Sequence, residues 1–374
     1  MQRREFLNKA GRAGLGALAA GGLLAGCKGE DKAAPATAAP AATATIEWKM
    51  VTAWPKNFPG LGTGAEFLAR TIGEMSGGRL KVKVFGAGEI VPALEVFDAV
   101  SRGTAELGHG ASYYWRGVSE AAQFFTTVPF GLTAQEQNAW LFNGGGMELW
   151  QETYTDLGVI PMPAGNTGAQ MGGWFNREIN SVDDLKGLKI RIPGLGGEVI
   201  RRAGGLPVNL PGGELFTSLQ SGVVDAVEWV GPYNDLALGL YKAAKYYYAP
   251  SWQDPCGTIE CLINRKAFET LPEDLQFILI NACRVANEAI LSEYIARNNE
   301  ALHTLVTRHN VEVRRYPDEV LTHLRTLSRD VVDEVVARNP QAAKIHASYD
   351  AFRSQVVAWH AISELAYMNG RGGA

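Results

Sequence analysis

Arg191 stands in the run Leu188-Lys-Ile-Arg191-Ile-Pro-Gly194. Alternation puts Leu188, Ile190 and Ile192 on one strand face, and Lys189 and Arg191 on the other. Pro193-Gly194 ends the strand. Open α/β sheets bind ligands beyond the carboxyl ends of their strands, and a guanidinium there can grip a carboxylate through two parallel hydrogen bonds. The competing reading is a solvated edge arginine. Glu228 and Trp229 end a later strand, between Val227 and Val230 and before Gly231-Pro232. A carboxylate in such apolar company either pairs with a cation or turns to solvent. Gln170 closes the small-residue segment Gly165-Asn166-Thr-Gly-Ala-Gln170, which permits close approach of a ligand. The runs Tyr113-Tyr114-Trp115 and Tyr246-Tyr-Tyr248 supply mostly core rings, with Tyr113 or Tyr114 able to line a site.

Motifs for bond-breaking chemistry are missing. The chain has no GxSxG, HExxH, GxGxxG or GK[ST] phosphate loop. Five of its six histidines (303, 309, 323, 346 and 360) are scattered over the C-terminal part, where surface or satisfied-core roles account for them. His109 falls near the end of an early strand; a core role is the simpler reading, and approach to a ligand site is the other. The four cysteines match no zinc spacing and include no CxxC pair. Cys256 and Cys261 either pair across a short loop or sit as two small half-buried residues.

The elements that would position these groups alternate between strand and helix. Ile46–Ala53 and Arg79–Phe85 read as strands, with a helix through Phe67, Leu68 and Ile72 between them. A second helix through Leu94, Phe97 and Val100 ends at Gly103, and Ala105–Gly110 is the next strand. A similar series recurs: strand Leu188–Ile192, a helix near Glu198–Ala203, strand Val208–Leu210, a helix from Glu214 to Gly222, and strand Val223–Val230. The segment Phe97-Asp-Ala-Val-Ser-Arg-Gly103-Thr-Ala-Glu106 matches Phe216-Thr-Ser-Leu-Gln-Ser-Gly222-Val-Val-Asp225 in the spacing of Phe, Gly and acid. This reads as one βαβ unit repeated in two lobes. The alternative is chance similarity of two ordinary units. Two α/β lobes with largely parallel sheets imply a cleft and a hinge. From about Pro272 the chain is expected to be helical to its end, with one long helix over Leu275–Asn299 and further helices at Leu302–Val306, Val320–Val336 and Tyr349–Met368.

Bulk composition fits this picture. Of 374 residues, 46% are hydrophobic and 20% charged, as in a folded globular protein. Net charge is -4, and the first 26 residues carry Arg3, Arg4, Lys9 and Arg12 against Glu5, so the remainder carries -7. An acidic body without a basic stripe excludes nucleic acid as the natural partner. Arg3-Arg4-Glu-Phe-Leu-Asn-Lys9 resembles a twin-arginine export signal, and Leu24-Ala-Gly-Cys27 a lipobox whose Cys27 takes the acyl chains. Residues 28–45, rich in Ala, Pro and Thr, read as a flexible tether.

Ser181-Val-Asp-Asp-Leu-Lys-Gly-Leu-Lys-Ile-Arg191-Ile-Pro-Gly194 and Leu219-Gln-Ser-Gly-Val-Val-Asp225-Ala resemble solute-binding proteins of tripartite ATP-independent periplasmic (TRAP) transporters. Asn166-Thr-Gly-Ala-Gln170, Glu228-Trp-Val-Gly-Pro-Tyr233 and Trp359–Tyr367 resemble the branch for 2-oxo acids and related monocarboxylates. The likeness covers nearly all of residues 46–370. It implies a two-lobed periplasmic-binding-protein-like fold, with lobe I at 46–165 plus returning segments after about 255, and lobe II at 166–254. Helical segments over 270–345 would bridge the lobes, and 346–374 would form a C-terminal helix. An export signal (1–26) and a tether (27–45) precede them. The resemblance implies that Arg191 grips the ligand carboxylate, while Gln170, Glu228 and the Trp229 carbonyl hold a sodium or calcium ion. Asn166 and Tyr114 complete the candidate ligand set. Where the branch often has Glu-Pro-Gly, this chain has Gln253-Asp254-Pro255-Cys256-Gly257, which puts Asp254 in the Glu's place as a candidate metal ligand. The expected partners are a small organic anion, two membrane subunits and a second copy of the chain. Tyr349, Phe352, Val356, Trp359 and Ala366 form an apolar stripe that would either pack on its own body or, as the branch implies, cross to the partner. A metal-dependent lyase or hydrolase acting on a small organic acid and a ligand-sensing subunit are the alternative functions.

Overall fold

The computed structural model describes residues 45–372. The export signal, the lipobox with Cys27 and the tether lie outside the described residues, apart from residue 45. Two sheets form the two lobes. In lobe I, β1 (Ile46–Thr52), β2 (Leu80–Phe85), β3 (Leu107–Gly110), β4 (Val159–Asn166) and β10 (Thr258–Asn264) stand in the order β2-β1-β3-β10-β4. In lobe II, β5 (Gly173–Phe175), β6 (Lys189–Arg191), β7 (Leu206–Val208), β8 (Ala226–Val227), β9 (Tyr246–Ala249) and β11 (Glu312–Arg315) stand in the order β11-β9-β5-β8-β6-β7. The β1–β2, β1–β3, β6–β7 and β6–β8 pairs are parallel, as the strand–helix alternation implies. β10 runs antiparallel to both β3 and β4, and β5 to both β8 and β9.

The repeated unit has the same local geometry in both lobes. Gly103 and Gly222 end their helices at φ 78° and 75°, a left-handed turn that a side chain would strain. The acid three residues later then caps the neighbouring parallel strand. Glu106 Oε2 accepts from the Lys49 N–H at 2.7 Å, and Asp225 Oδ2 accepts from the Lys189 N–H at 3.0 Å.

Helix Glu273–His309 is 37 residues long and joins the lobes. Its Leu275–Tyr294 half buries side chains against β4 and helix Gly62–Met75 of lobe I, and it also packs on helix Pro232–Leu238 of lobe II. The separate helix expected at Leu302–Val306 is its last part. Asn310, at φ 53°, ends it. The C-terminal part is not wholly helical: β11 adds an edge strand to lobe II beside β9. Helices Asp318–Arg338 and Pro340–Ile362 follow, and the expected Tyr349–Met368 helix is broken at Ser363. The apolar stripe divides earlier, within helix Pro340–Ile362. Tyr349 is buried against Trp140, with ring centroids 5.1 Å apart, whereas Trp359 is 61% exposed. Cys256, Cys261 and Cys283 are all buried free thiols, so Cys256 and Cys261 are not paired. No described helix is long and apolar enough to cross a membrane.

Candidate functional site

Arg191 ends β6 between β7 and β8, and its side chain is fully buried. The solvated-edge reading is thereby excluded. Its Nε donates to the Leu210 carbonyl at 3.2 Å, one terminal nitrogen to the Glu228 carbonyl at 2.7 Å, and the other to the Tyr114 hydroxyl at 3.3 Å. The Glu228 carboxylate lies 3.4 Å from the guanidinium. The guanidinium also sits over the Trp229 ring, 4.9 Å from its centroid. Burial works against the Arg191 charge, but the Tyr114 and Glu228 oxygens outweigh it and its pKa rises.

Glu228 leaves the short strand β8 and is fully buried. Burial and the Asp254 carboxylate push its pKa well up, with Arg191 opposing. Asp254, in the segment between β9 and β10, is pushed up to about 7 by burial, again against Arg191. Two buried carboxyl groups thus share one guanidinium, and burial favours their neutral forms unless further positive charge joins them.

The Gln170 amide lies beside Glu228 and Trp229. One end of it lies 2.9 Å from Thr167 Oγ1. The opposite end of the amide lies 3.0 Å from Glu228 Oε1 and 3.2 Å from the Trp229 carbonyl oxygen. With the amide nitrogen there, it donates to both acceptors, and the amide oxygen accepts from Thr167 Oγ1 at 2.9 Å. With the oxygen there instead, three oxygens would converge, an arrangement that a cation between them would stabilise. A carboxylate, an amide oxygen and a carbonyl are hard donors suited to sodium or calcium, so these residues fit such an ion. Gly257 makes room, since a Cβ there would come 2.6 Å from Gln170 Nε2.

Arg191, Glu228, Trp229, Gln170, Tyr114 and Asp254 are thus gathered at the interface of the two lobes. Asn166 is not brought to this group: its oxygen accepts from the Gly168 N–H at 2.9 Å, and its nitrogen donates to Thr258 Oγ1 at 3.3 Å. Reasoning from the sequence missed Trp54, just past the end of β1. Its ring lies 6.1 Å from that of Tyr114 and 6.4 Å from that of Trp229. The strand-end rule that singled out Arg191 applies equally to Trp54. The residual cavity among Trp54, Tyr114, Gln170 and Trp229 is about 10 Å³, room for about one water. Asn234 of lobe II donates to the Pro59 carbonyl of lobe I at 2.7 Å, so the lobes lie closed on each other. A larger cavity of about 440 Å³ lies between the 128–131 turn and the helices Asp318–Arg338 and Pro340–Ile362. It shares no residue with the Arg191 group, and convergence of ligating atoms rather than size identifies the site.

The family described as bacterial extracellular solute-binding protein, family 7, matches residues 50–339. A curated relative, the monocarboxylate 2-oxoacid-binding periplasmic protein of a Nostoc species, is 44% identical over 371 residues, which cover 99% of this chain and 98% of that one. A solved TRAP periplasmic solute-binding protein from Colwellia psychrerythraea, with bound calcium and pyruvate, is 42% identical at a TM-score of 0.85 and covers 87% of this chain and 99% of its own. One from Pseudoalteromonas atlantica, with bound sodium and pyruvate, has the same identity, TM-score and coverage.

Proposed function

The chain belongs to family 7 of the bacterial extracellular solute-binding proteins, and from that membership we propose that it captures a small 2-oxo or 2-hydroxy monocarboxylate together with sodium or calcium. It is a receptor that delivers its ligand to TRAP membrane subunits, and it breaks no bond. One observation carries the choice of ligand: a fully buried guanidinium beside the Glu228 carboxylate, with the Gln170 amide and the Trp229 carbonyl next to that carboxylate. Arg191 supplies a planar fork for the carboxylate. Glu228, Gln170 and the Trp229 carbonyl would hold the cation, with Asp254 adding negative charge nearby. The cation would draw in the ligand's 2-oxygen, so that guanidinium and cation together outweigh the pocket's carboxylates. A thermal-shift screen of carboxylates, sugars and amines, each with sodium and with calcium, tests this reading. Pyruvate at 100 times its dissociation constant should stabilise the protein by about 2.7 kcal/mol. A sugar or an uncharged solute as the strongest stabiliser contradicts the proposal.

The twin-arginine and lipobox residues support export in the folded state and anchoring through Cys27. Replacing Cys27 with Ser should release the protein from the membrane; an unmodified Cys27 in cytoplasmic protein contradicts this. A homodimer is favoured by the exposed Val357, Trp359, Ile362, Leu365, Tyr367 and Met368 at the C-terminal end, a row that a second copy would cover. Tyr349 and Phe352 pack on their own body, and truncation after residue 355 keeps those contacts. That truncation should yield monomers by sedimentation, whereas monomeric full-length protein at micromolar concentration rules the dimer out.

A further inference from the structure

His109 lies in β3 between Thr52 of β1 and Cys261 of β10, and it is completely buried. Its Nδ1 accepts from the Trp54 indole Nε1–H at 2.8 Å, and its Nε2 lies 3.5 Å from the Ala164 carbonyl oxygen. Only a neutral ring with its proton on Nε2 satisfies both ends. A proton on Nδ1 would set two N–H groups against each other. Burial pushes its pKa down to about 4, with the Ala164 carbonyl opposing. The imidazole therefore stays a hydrogen-bond acceptor toward Trp54 at neutral pH.

Trp54 is only 2% exposed. Its indole faces Tyr114 and Trp229, the two aromatic residues in contact with Arg191. It lines the residual cavity with Leu61, Ala111, Thr126 and Ile259, a wall that contributes no charge. The nitrogen end of the indole is tied to a residue in the middle of a sheet, so the ring cannot turn away without losing a buried hydrogen bond.

We propose that His109 is a positioning residue that fixes the Trp54 indole as the wall limiting ligand size, so that the site holds 2-oxo acids with short side chains more tightly than branched ones. This rests on the ligand reading above. A purely structural histidine would contribute to the stability of lobe I and leave ligand selectivity alone, so the decisive readout is a ratio of affinities.

Calorimetric titrations of the full chain with pyruvate and with 4-methyl-2-oxopentanoate, in calcium buffer, give that ratio for the parent, His109→Leu, His109→Asn and Trp54→Phe. The parent should prefer pyruvate. His109→Leu, which removes the acceptor, should narrow the preference about tenfold, the effect of a lost net hydrogen bond. His109→Asn carries an oxygen near the Nδ1 position and should restore the parent's ratio. Trp54→Phe removes the indole itself and should narrow the ratio as His109→Leu does, which keeps the proposal testable if the Leu variant does not fold. A parent ratio in Trp54→Phe, or in a folded His109→Leu, overturns the proposal, as does an Asn variant that behaves like Leu. A parent protein that binds neither 2-oxo acid overturns the ligand reading and this size limit with it.

Discussion

The two copies of the βαβ unit share a scaffold and differ in what they put at its end. In lobe I, Glu106 caps the Lys49 N–H, and three residues later His109 lies neutral beneath the Trp54 indole. In lobe II, Asp225 caps the Lys189 N–H, and three residues later Glu228 lies buried against Arg191. The acid holds the strand register in both copies. The position three residues on is free to differ, and it sets the character of each lobe: lobe I offers an apolar wall held by a neutral ring, and lobe II offers the charges. A carboxylate ligand closed between them meets its ionic partners on one side and its size limit on the other.

The largest effect expected from this contrast is on pH-dependent stability. His109 titrates near 6.5 when unfolded and at about 4 when folded. Between those values the unfolded chain binds more protons, so His109's contribution is complete above 6.5 and is lost as pH falls toward 4. Urea unfolding of the parent and of His109→Asn isolates it. The parent's advantage over the variant should fall by about 3 kcal/mol across that window. A difference that stays flat with pH would mean that His109 is not held as a buried neutral acceptor.

Arg191→Lys comes next. A point charge in place of the planar fork should weaken pyruvate binding by roughly 2 kcal/mol, about 30-fold. Equal affinity would show that lobe II needs only a positive charge. The smallest effects belong to the acids that both copies share. Glu106→Gln and Asp225→Asn should each cost about 1 kcal/mol in denaturant unfolding, with pyruvate affinity unchanged in both. A loss of affinity in Asp225→Asn alone would place that acid in the site rather than in the scaffold.

Much of this was legible in the sequence. The repeat, the two lobes and the placement of Arg191, Glu228 and Gln170 follow from strand alternation, strand ends and the family resemblance, because parallel α/β sheets place function at one edge. Trp54 escaped notice because an aromatic residue beside a strand reads as core until its neighbours are known. Asn166 bonds to Gly168 and Thr258, and nearness in sequence to Gln170 says nothing about where an amide at the end of β4 points. β11 was missed because Glu312-Val-Arg-Arg315 is short, charged and largely exposed, as befits an edge strand. The long helix was divided too early because its buried face thins out between Tyr294 and Ala301 as it leaves the lobe I core.

We propose that the Arg191 guanidinium and a cation on Glu228, Gln170 and the Trp229 carbonyl jointly hold one carboxylate. Calorimetric titration of pyruvate tests it in sodium-free buffer treated with a chelator, and in the same buffer after addition of calcium or sodium. One pyruvate should bind per chain, at least about tenfold more tightly once the cation is present. Pyruvate affinity that is the same with and without the cation would contradict it.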